Sequence, residues 1–485
     1  MKIKKQIQKN TLRISDFLKH NTEKSKTNKN TINKHRTYIN KLPEFHAILP
    51  AFYSMSNPIC TYLIHYSDTQ SKRIEMHALD NIHLESSYNL PAIQTFFTKL
   101  NTVYSENQRI LADMKLKDTP AKVRQATEDF SRNLSKFISR RYQDKLPTHE
   151  ITNAFIKIWE CLSSFDLIPH TANTKRFNVF HICEAPGQMI LACKYFTEQK
   201  RKKITEYNWL ANSLNPFSAE VKAQYGNVFN DKYGLMKKYP KQWLWGADNT
   251  GDITAVKNIK WFRKYIREHM PELDMIVGDG GLGSGSDSLV LQKLDLAQVV
   301  MVLACSVKGG ACIIKHFTPY MTNHPETLDA CSFFVSFLYL YYLTFEEISL
   351  FKPYSSDITS GEFYVVGKGF KGISEEQLER LYKALSGFEV NNAMVAKDMI
   401  PETFIMQING FIEKMADYNI QGIEKSNFLL TCYKEMQDKT KSDKINVDKA
   451  KLEKLLHFNN FLDEDKIEEI LVPRYNKWIK LYEFV

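Results

Sequence analysis

Between Ile151 and Gly372 the chain alternates short apolar runs with helical stretches, and no other feature narrows its fold as far. The strand-like runs are Phe177–Cys183, Tyr207–Leu214, Leu273–Asp279, Ala311–Phe317, Phe345–Pro353 and Glu362–Gly369. Helical periodicity fills Gly187–Lys200, Ile253–Met270, Leu289–Val307 and Thr327–Tyr342. Strands joined through helices pair in parallel, so the pattern predicts an α/β fold whose sheet is covered on both faces. Only "YSSDITSG" separates the last two strands, too little for a helix. That predicts an antiparallel hairpin at one edge of an otherwise mostly parallel sheet. Ligands of such an open sheet lie at the carboxyl ends of its strands. Those ends are Glu184–Gln188, Asn212–Phe217, Asp279–Ser286, Lys315–Thr318 and the segment around Lys352.

The flanks read differently. Residues 1–41 carry twelve Lys and Arg against only Asp16 and Glu23, which accounts for the whole net charge of +10. This basic arm has too few apolar residues for a core and reads as disordered, either a solvated tail or a grip on nucleic-acid phosphates. Residues 42–150 are expected to form a largely helical N-terminal accessory region. The alternating domain follows over 151–372, and 373–485 reads as a charged helical region with runs such as "SEEQLERLYKAL". The longest apolar run, Ala330 to Phe345, is broken by Ser332, Ser336 and Thr344. It falls short of the roughly 18–20 residues of a membrane span and is expected to be a core helix. The basic, polar start shows no signal peptide, and the eight cysteines show no CxxC pair and no zinc-like spacing with histidine. A cytoplasmic, non-secreted protein is expected, with no membrane and no metal.

Each strand end admits a structural explanation beside a chemical one. "HICEAPG" carries one glycine where a dinucleotide loop carries three. It offers one close backbone approach, enough for a nucleoside-like ligand without phosphates, yet alone it could be a plain turn. "VGDGGLGSGS" (277–286) lacks the G-K-[ST] of a phosphate loop and reads as a flexible cover, with Asp279 either at a reaction centre or capping the next helix. Lys315 in "GGACIIKHF" ends a strand expected to be buried, where lysine seldom lies without a partner, although it could snorkel outward. His316 points to the opposite face and reads as structural. Glu362 opens the last strand, either facing Lys315 across the sheet or lying at the surface. Lys157, beside the apolar face of the helix "NAFIKIWECL", would alone be a solvated lysine.

Taken together, Lys157, Asp279, Lys315 and Glu362, in that order around a one-glycine loop, resemble the Lys-Asp-Lys-Glu tetrad of the FtsJ-type ribose 2'-O-methyltransferases. Within that group the similarity is to the eukaryotic and viral mRNA cap-specific enzymes, and it covers roughly residues 150–370. "HICEAPG" is similar to their first S-adenosylmethionine motif, and "WLANSLNPF" (209–217) to the second-strand segment. "GADNTGDITAVKNI" (246–259) resembles the acidic segment after it, and "FKPYSSDITSGEFYVVGKG" the closing hairpin. "LNPF" and "DNTGDI" look like the enzymes acting on the second transcribed nucleotide. The resemblance implies a Rossmann-like methyltransferase sheet, S-adenosyl-L-methionine as cofactor and the capped 5' end of mRNA as substrate. It further implies other capping or transcription proteins as partners, and the cytoplasm, a virion or a viral factory as the setting. Glu184, Ala185, Pro186, Gly187 and Gln188 would bed the methionine end of the cofactor. Asn212, Ser213, Leu214 and Asn215 would lie by its ribose and Asp252 by the adenine side, with Asp279 also among the contacts. Ser213 departs from more distant bacterial relatives, which have an acidic residue there; it offers a hydroxyl in place of a carboxylate.

Methyl transfer to a ribose 2'-hydroxyl needs that hydroxyl aligned in line with a sulfonium methyl and relieved of its proton. A lysine serves as base when burial or a neighbouring cation brings its pKa down from about 10.4. Lys315 is expected to take the proton and Lys157 to stabilise the developing oxyanion, with Asp279 and Glu362 orienting the lysines and the hydroxyl. Two other readings stay open: a non-catalytic RNA-binding subunit that kept the fold, and a ribosomal or transfer RNA ribose methyltransferase. A guanine-N7 methyltransferase fits less well, having no use for two converging lysines.

Overall fold

The structure is a computed structural model and describes residues 60–64, 78–113, 129–169, 175–226, 230–281, 288–319, 330–442 and 464–484. The basic arm at 1–41, the glycine-rich loop at 282–286 and the helical run at 451–458 lie outside the described residues. The strands are β1 (Cys60–Ile64), β2 (Arg176–Ile182), β3 (Glu206–Asn212), β4 (Trp243–Leu244), β5 (Met275–Gly278), β6 (Ala311–Phe317), β7 (Phe345–Lys352) and β8 (Glu362–Phe370). The helices are α1 (Pro91–Asp113), α2 (Asp129–Arg141), α3 (Asn153–Ser164), α4 (Gln188–Lys200), α5 (Ala219–Tyr225), α6 (Leu235–Lys238), α7 (Val256–His269), α8 (Ser288–Cys305), α9 (Ala330–Thr344), α10 (Glu375–Ser386), α11 (Glu402–Ser442) and α12 (Glu464–Leu481).

The chain divides into two compact units. One comprises, of the described residues, 103–113, 129–130, 421–442 and 464–481. Within it Asn107 Nδ2 donates to Asn427 Oδ1 at 2.7 Å, and Leu471, Tyr475 and Trp478 are buried. The other unit carries the sheet.

The central strands β2, β5 and β6 are buried nearly throughout, as strands covered on both faces must be. β2 is buried at every position but Arg176, β5 at all four and β6 at all but its last. The order across the sheet is β1-β7-β8-β6-β5-β2-β3-β4. Neighbours from β4 to β6 run parallel, whereas β8 is antiparallel to β6 and β7 to β8. The alternating pattern therefore gives the parallel sheet and the hairpin that it predicts, except that the hairpin is not itself the edge, since β1 covers β7. Two strands are additional: the two-residue β4 beyond β3, and β1, which pairs antiparallel with β7 beyond the hairpin. From β2 the chain winds outward to β3 and β4, then returns to lay β5 on β2's other side. The crevice at the carboxyl ends of β2 and β5 is thus the topological switch point, where such sheets bind their ligands.

Helices lock this frame. α9 is buried along its whole length, as expected of the long apolar run. No helix among the described residues is long and apolar enough to cross a membrane. α10 opens with a capping box, in which Ser374 Oγ accepts from Gln377 N while Gln377 Oε1 accepts from Ser374 N. α3 turns Phe155, Ile158, Trp159 and Leu162 inward. The Trp159 ring packs against Tyr195 and Phe196 of α4 and against Phe484, with centroids 5.7, 4.9 and 4.7 Å away, and its Nε1 donates to Tyr482 O at 3.0 Å. Trp159→Ala is expected to cost about 3–5 kcal/mol through the cavity it leaves. Chemical denaturation checks this, and a shift in stability below 1 kcal/mol would show that α3 is held by something else.

Candidate active site

The loop after β2 is built on a single reversal. Glu184 N donates to Asn212 O at 3.0 Å, tying the ends of β2 and β3, and Gly187 N donates to Glu184 O at 2.9 Å to close the turn. Gly187 sits at φ 114°, a backbone conformation that favours glycine, and a Cβ there would lie 2.3 Å from Leu235 Cδ1, the end of a side chain that can turn aside. The Glu184 carboxylate is buried and turned inward. Its Oε1 accepts from Met189 N at 2.8 Å and Ile190 N at 3.2 Å, the free amides at the start of α4. Its Oε2 faces His181 Nδ1 at 3.5 Å, and His181 Nε2 meets Tyr207 OH at 2.8 Å. Burial raises the Glu184 pKa, against the pull of His181 and the Ile190 amide. Glu184 therefore lies at the loop foreseen for it, with its side chain committed to the scaffold.

The turn after β3 is zipped to the loop after β4. Asn212 Nδ2 donates to Gly251 O at 3.0 Å, Asn215 N to Thr250 O at 2.7 Å and Asn215 Nδ2 to Asn249 O at 2.8 Å. Gly251, at φ 74°, approaches so closely that a Cβ would lie 1.8 Å from Ser213 O. Asn258, fully buried on α7, donates through Nδ2 to Asp248 Oδ1 at 2.9 Å and Asp252 O at 2.8 Å. Asp252 Oδ1 accepts from Thr254 N at 2.8 Å. Ser213 Oγ accepts from Ala185 N at 3.4 Å and so links the two loops. Leu214 is half-buried between Ser213 and Asn215. Gln188 Nε2 and Asn212 Oδ1 are among the polar atoms here that are buried without a hydrogen-bond partner, as are Glu184 Oε2 and His181 Nδ1, which face each other at 3.5 Å. A polar cradle with an orphan donor in Gln188 Nε2 and an orphan acceptor in Asn212 Oδ1 fits a nucleoside-bearing cofactor such as S-adenosylmethionine.

On the β6 side of the switch point the four expected side chains come together as two ion pairs. Asp279, one residue past β5, meets Lys315 Nζ through Oδ1 at 2.8 Å. Lys157 Nζ, reaching from α3, meets Glu362 Oε1 at 2.5 Å. In the β6–β8 register Lys315 lies opposite Tyr364 and Phe317 opposite Glu362, so Lys315 and Glu362 share one face of the sheet. Lys315 is 9% exposed and Glu362 8%. Burial would push the Glu362 carboxyl up, but Lys157, Lys315 and Lys352 outweigh it and hold the pKa at about 2. Lys315 differs from the expectation of a lowered pKa. Burial does pull it down, yet Asp279 and Glu362 prevail and raise it above the ordinary 10.5. Each lysine thus meets its own carboxylate, Lys315 at 2.8 Å and Lys157 at 2.5 Å. His316 points away, between Asp295 Oδ1 at 2.7 Å and Tyr341 OH at 3.1 Å, in the structural role read for it.

Three further residues belong to this arrangement and went unassigned in the sequence. Ser356 Oγ donates to Glu362 Oε1 at 2.9 Å. Lys352 Nζ donates to Ser360 O at 2.7 Å and Glu362 O at 3.0 Å. Glu160, fully buried on α3, accepts from Tyr354 N at 2.6 Å and Ser355 N at 3.0 Å. A charged residue among the core positions of α3 was the one available signal for Glu160.

Residues 151–370 match the family model described as FtsJ-like methyltransferase. Among curated proteins, the chain is 31% identical over 325 residues to "Uncharacterized protein L511" of Acanthamoeba polyphaga mimivirus, covering 65% of this chain and 38% of that one. It is 28% identical over 340 residues to the mouse "Cap-specific mRNA (nucleoside-2'-O-)-methyltransferase 2", covering 66% and 42%. It is 30% identical over 332 residues to "Probable methyltransferase EP424R" of African swine fever virus, strain Badajoz, covering 64% and 70%. The chain thus spans about two fifths of the length of the mimivirus and mouse relatives.

The two glycines give an ordering that denaturation can check. Gly187→Ala brings a methyl against the end of a flexible leucine and is expected to cost about 1–2 kcal/mol for its left-handed backbone. Gly251→Ala drives a methyl into a backbone carbonyl and is expected to cost more, with the lower melting temperature of the two. The reverse order would contradict the zipped loops.

Proposed function

The chain belongs to the FtsJ-like methyltransferase family, and from that premise we propose that it transfers the methyl of S-adenosylmethionine to a ribose 2'-hydroxyl at the capped 5' end of mRNA. The observation that carries this reading is the pair of lysine–carboxylate contacts, Lys315–Asp279 and Lys157–Glu362, beside the switch-point loops. The name of the mouse relative supports it, and that of the African swine fever virus relative supports methyl transfer. With viral proteins among its relatives, a cytoplasmic viral factory is the proposed setting.

The loop Glu184–Gln188, the turn Asn212–Asn215 and Asp252 would hold the cofactor, chiefly through backbone and neutral polar groups. Bound S-adenosylmethionine would supply an electrophilic sulfonium methyl. Lys315, in its neutral form, takes the 2'-hydroxyl proton at Nζ, while Asp279 holds the resulting ammonium. Lys157 Nζ donates to the ribose oxygen as negative charge builds there, and Glu362 fixes where that ammonium points. Alignment of the hydroxyl within this rigid frame supplies much of the remaining acceleration.

Labelled S-adenosylmethionine and capped RNA should yield label in a 2'-O-methyl nucleoside, with uncapped RNA a poor substrate. Lys315→Ala should lower kcat by about 100-fold or more while cofactor binding persists. Full activity in that variant, or cofactor binding with no transfer to any RNA, would sink the reading, the second outcome pointing to an RNA-binding subunit. The pH dependence follows from the raised Lys315 pKa. Below a pKa above 10.5 the neutral fraction falls about tenfold per pH unit, so log kcat/KM should climb with a slope near one through pH 7–9 without levelling. A plateau reached near pH 8 would contradict the charge state assigned to Lys315.

A further inference from the structure

The connection between β7 and β8, residues 353–361, is held from two sides by buried charges that do not belong to the tetrad. On one side Glu160 takes the Tyr354 and Ser355 amides, one on each oxygen, at 2.6 and 3.0 Å. On the other, Lys352 Nζ holds the carbonyls of Ser360 and Glu362 at 2.7 and 3.0 Å. Asn419, also fully buried, adds Nδ2 contacts to Ile358 O at 2.7 Å and Ser360 O at 3.1 Å. An ionised carboxylate at zero exposure is costly unless donors saturate it, so a neutral side chain would be the cheaper occupant of this helix position.

What the carboxylate does follows from where it sits. Glu160 and Lys157 are one helical turn apart on α3 and so project on the same side. Lys157 reaches Glu362 at 2.5 Å, while Glu160 grips the segment that leads into Glu362 and carries Ser356, the other partner of the same Oε1. α3 and the start of β8 are thereby joined twice, once by the reactive pair and once by a fixed backbone anchor. We propose that Glu160 is a positioning residue for methyl transfer, setting the distance between the Lys157 ammonium and the Glu362 carboxylate through residues 354–356. It touches neither substrate nor cofactor. This inference rests on the proposed reading of the tetrad.

Glu160→Gln keeps the shape but turns an NH2 toward one of the two amides. It is expected to lower kcat about tenfold to a hundredfold, with cofactor affinity and one-to-one binding stoichiometry by calorimetry as in the wild type. A double-variant cycle separates positioning from general loosening. Added to Glu362→Ala, where the contact to be positioned is already gone, Glu160→Gln should cost less than a third of its effect in the wild type. If Glu362→Ala has no measurable rate, Ser356→Ala, which leaves the tetrad complete but cuts the link from the anchored segment to Glu362, serves as the second background with the same expectation. Wild-type kcat in Glu160→Gln, a parallel loss of cofactor binding, or full additivity would each overturn the proposal. Activity surviving Lys157→Ala and Lys315→Ala would instead sink the tetrad reading, so the two failures are told apart.

Discussion

Two ammonium groups can share one water-poor crevice only if each finds a carboxylate. Lys315 with Asp279 and Lys157 with Glu362 meet that demand, and much of the fold serves to bring the four together from helix α3, the end of β5, β6 and the start of β8. The pairs are not stabilising in any simple sense, because desolvation offsets most of the Coulombic gain. What they determine is charge state. Glu362 stays ionised with a pKa of about 2, and Lys315 stays protonated in the free protein. The proposed chemistry therefore begins from a lysine that must surrender a proton before it can accept one.

The sheet topology explains why the four charged side chains and the loops meet at all. Reversal of winding between β2 and β5 opens a crevice, with the zipped loops after β2, β3 and β4 on one side and Asp279 and Lys315 on the other. Antiparallel β8 then enters beside β6 and starts, at the crevice, with Glu362. A parallel strand in that place would end there instead, and its first residue would lie at the far edge of the sheet.

Much of this was legible in the sequence, for a physical reason. Parallel strands covered on both faces must be continuous apolar runs, so β2, β3, β5 and β6 announced themselves, and a polar or charged residue at the end of such a run stands out. β4 and β1 did not, since two residues and an isolated five-residue run carry no periodic signal. The inward turn of the Glu184 carboxylate was hidden because loop geometry, not periodicity, sets its direction. Glu160 and Lys352 were hidden because their partners are backbone groups, which every residue has. The raised pKa of Lys315 went against expectation because burial and lysine–lysine repulsion can be foreseen from residue types, whereas the 2.8 Å contact to Asp279 cannot.

The central claim is that the acceptor is a ribose 2'-hydroxyl, and removal of that one oxygen tests it most directly. Capped RNAs carrying a 2'-deoxy sugar at the first transcribed nucleotide, at the second, or at both would be incubated with labelled S-adenosylmethionine and the wild-type protein. Label should disappear when the accepting nucleotide is deoxy, and survive when the other one is. Undiminished labelling of the doubly deoxy RNA would place the methyl on a base or elsewhere and contradict the account.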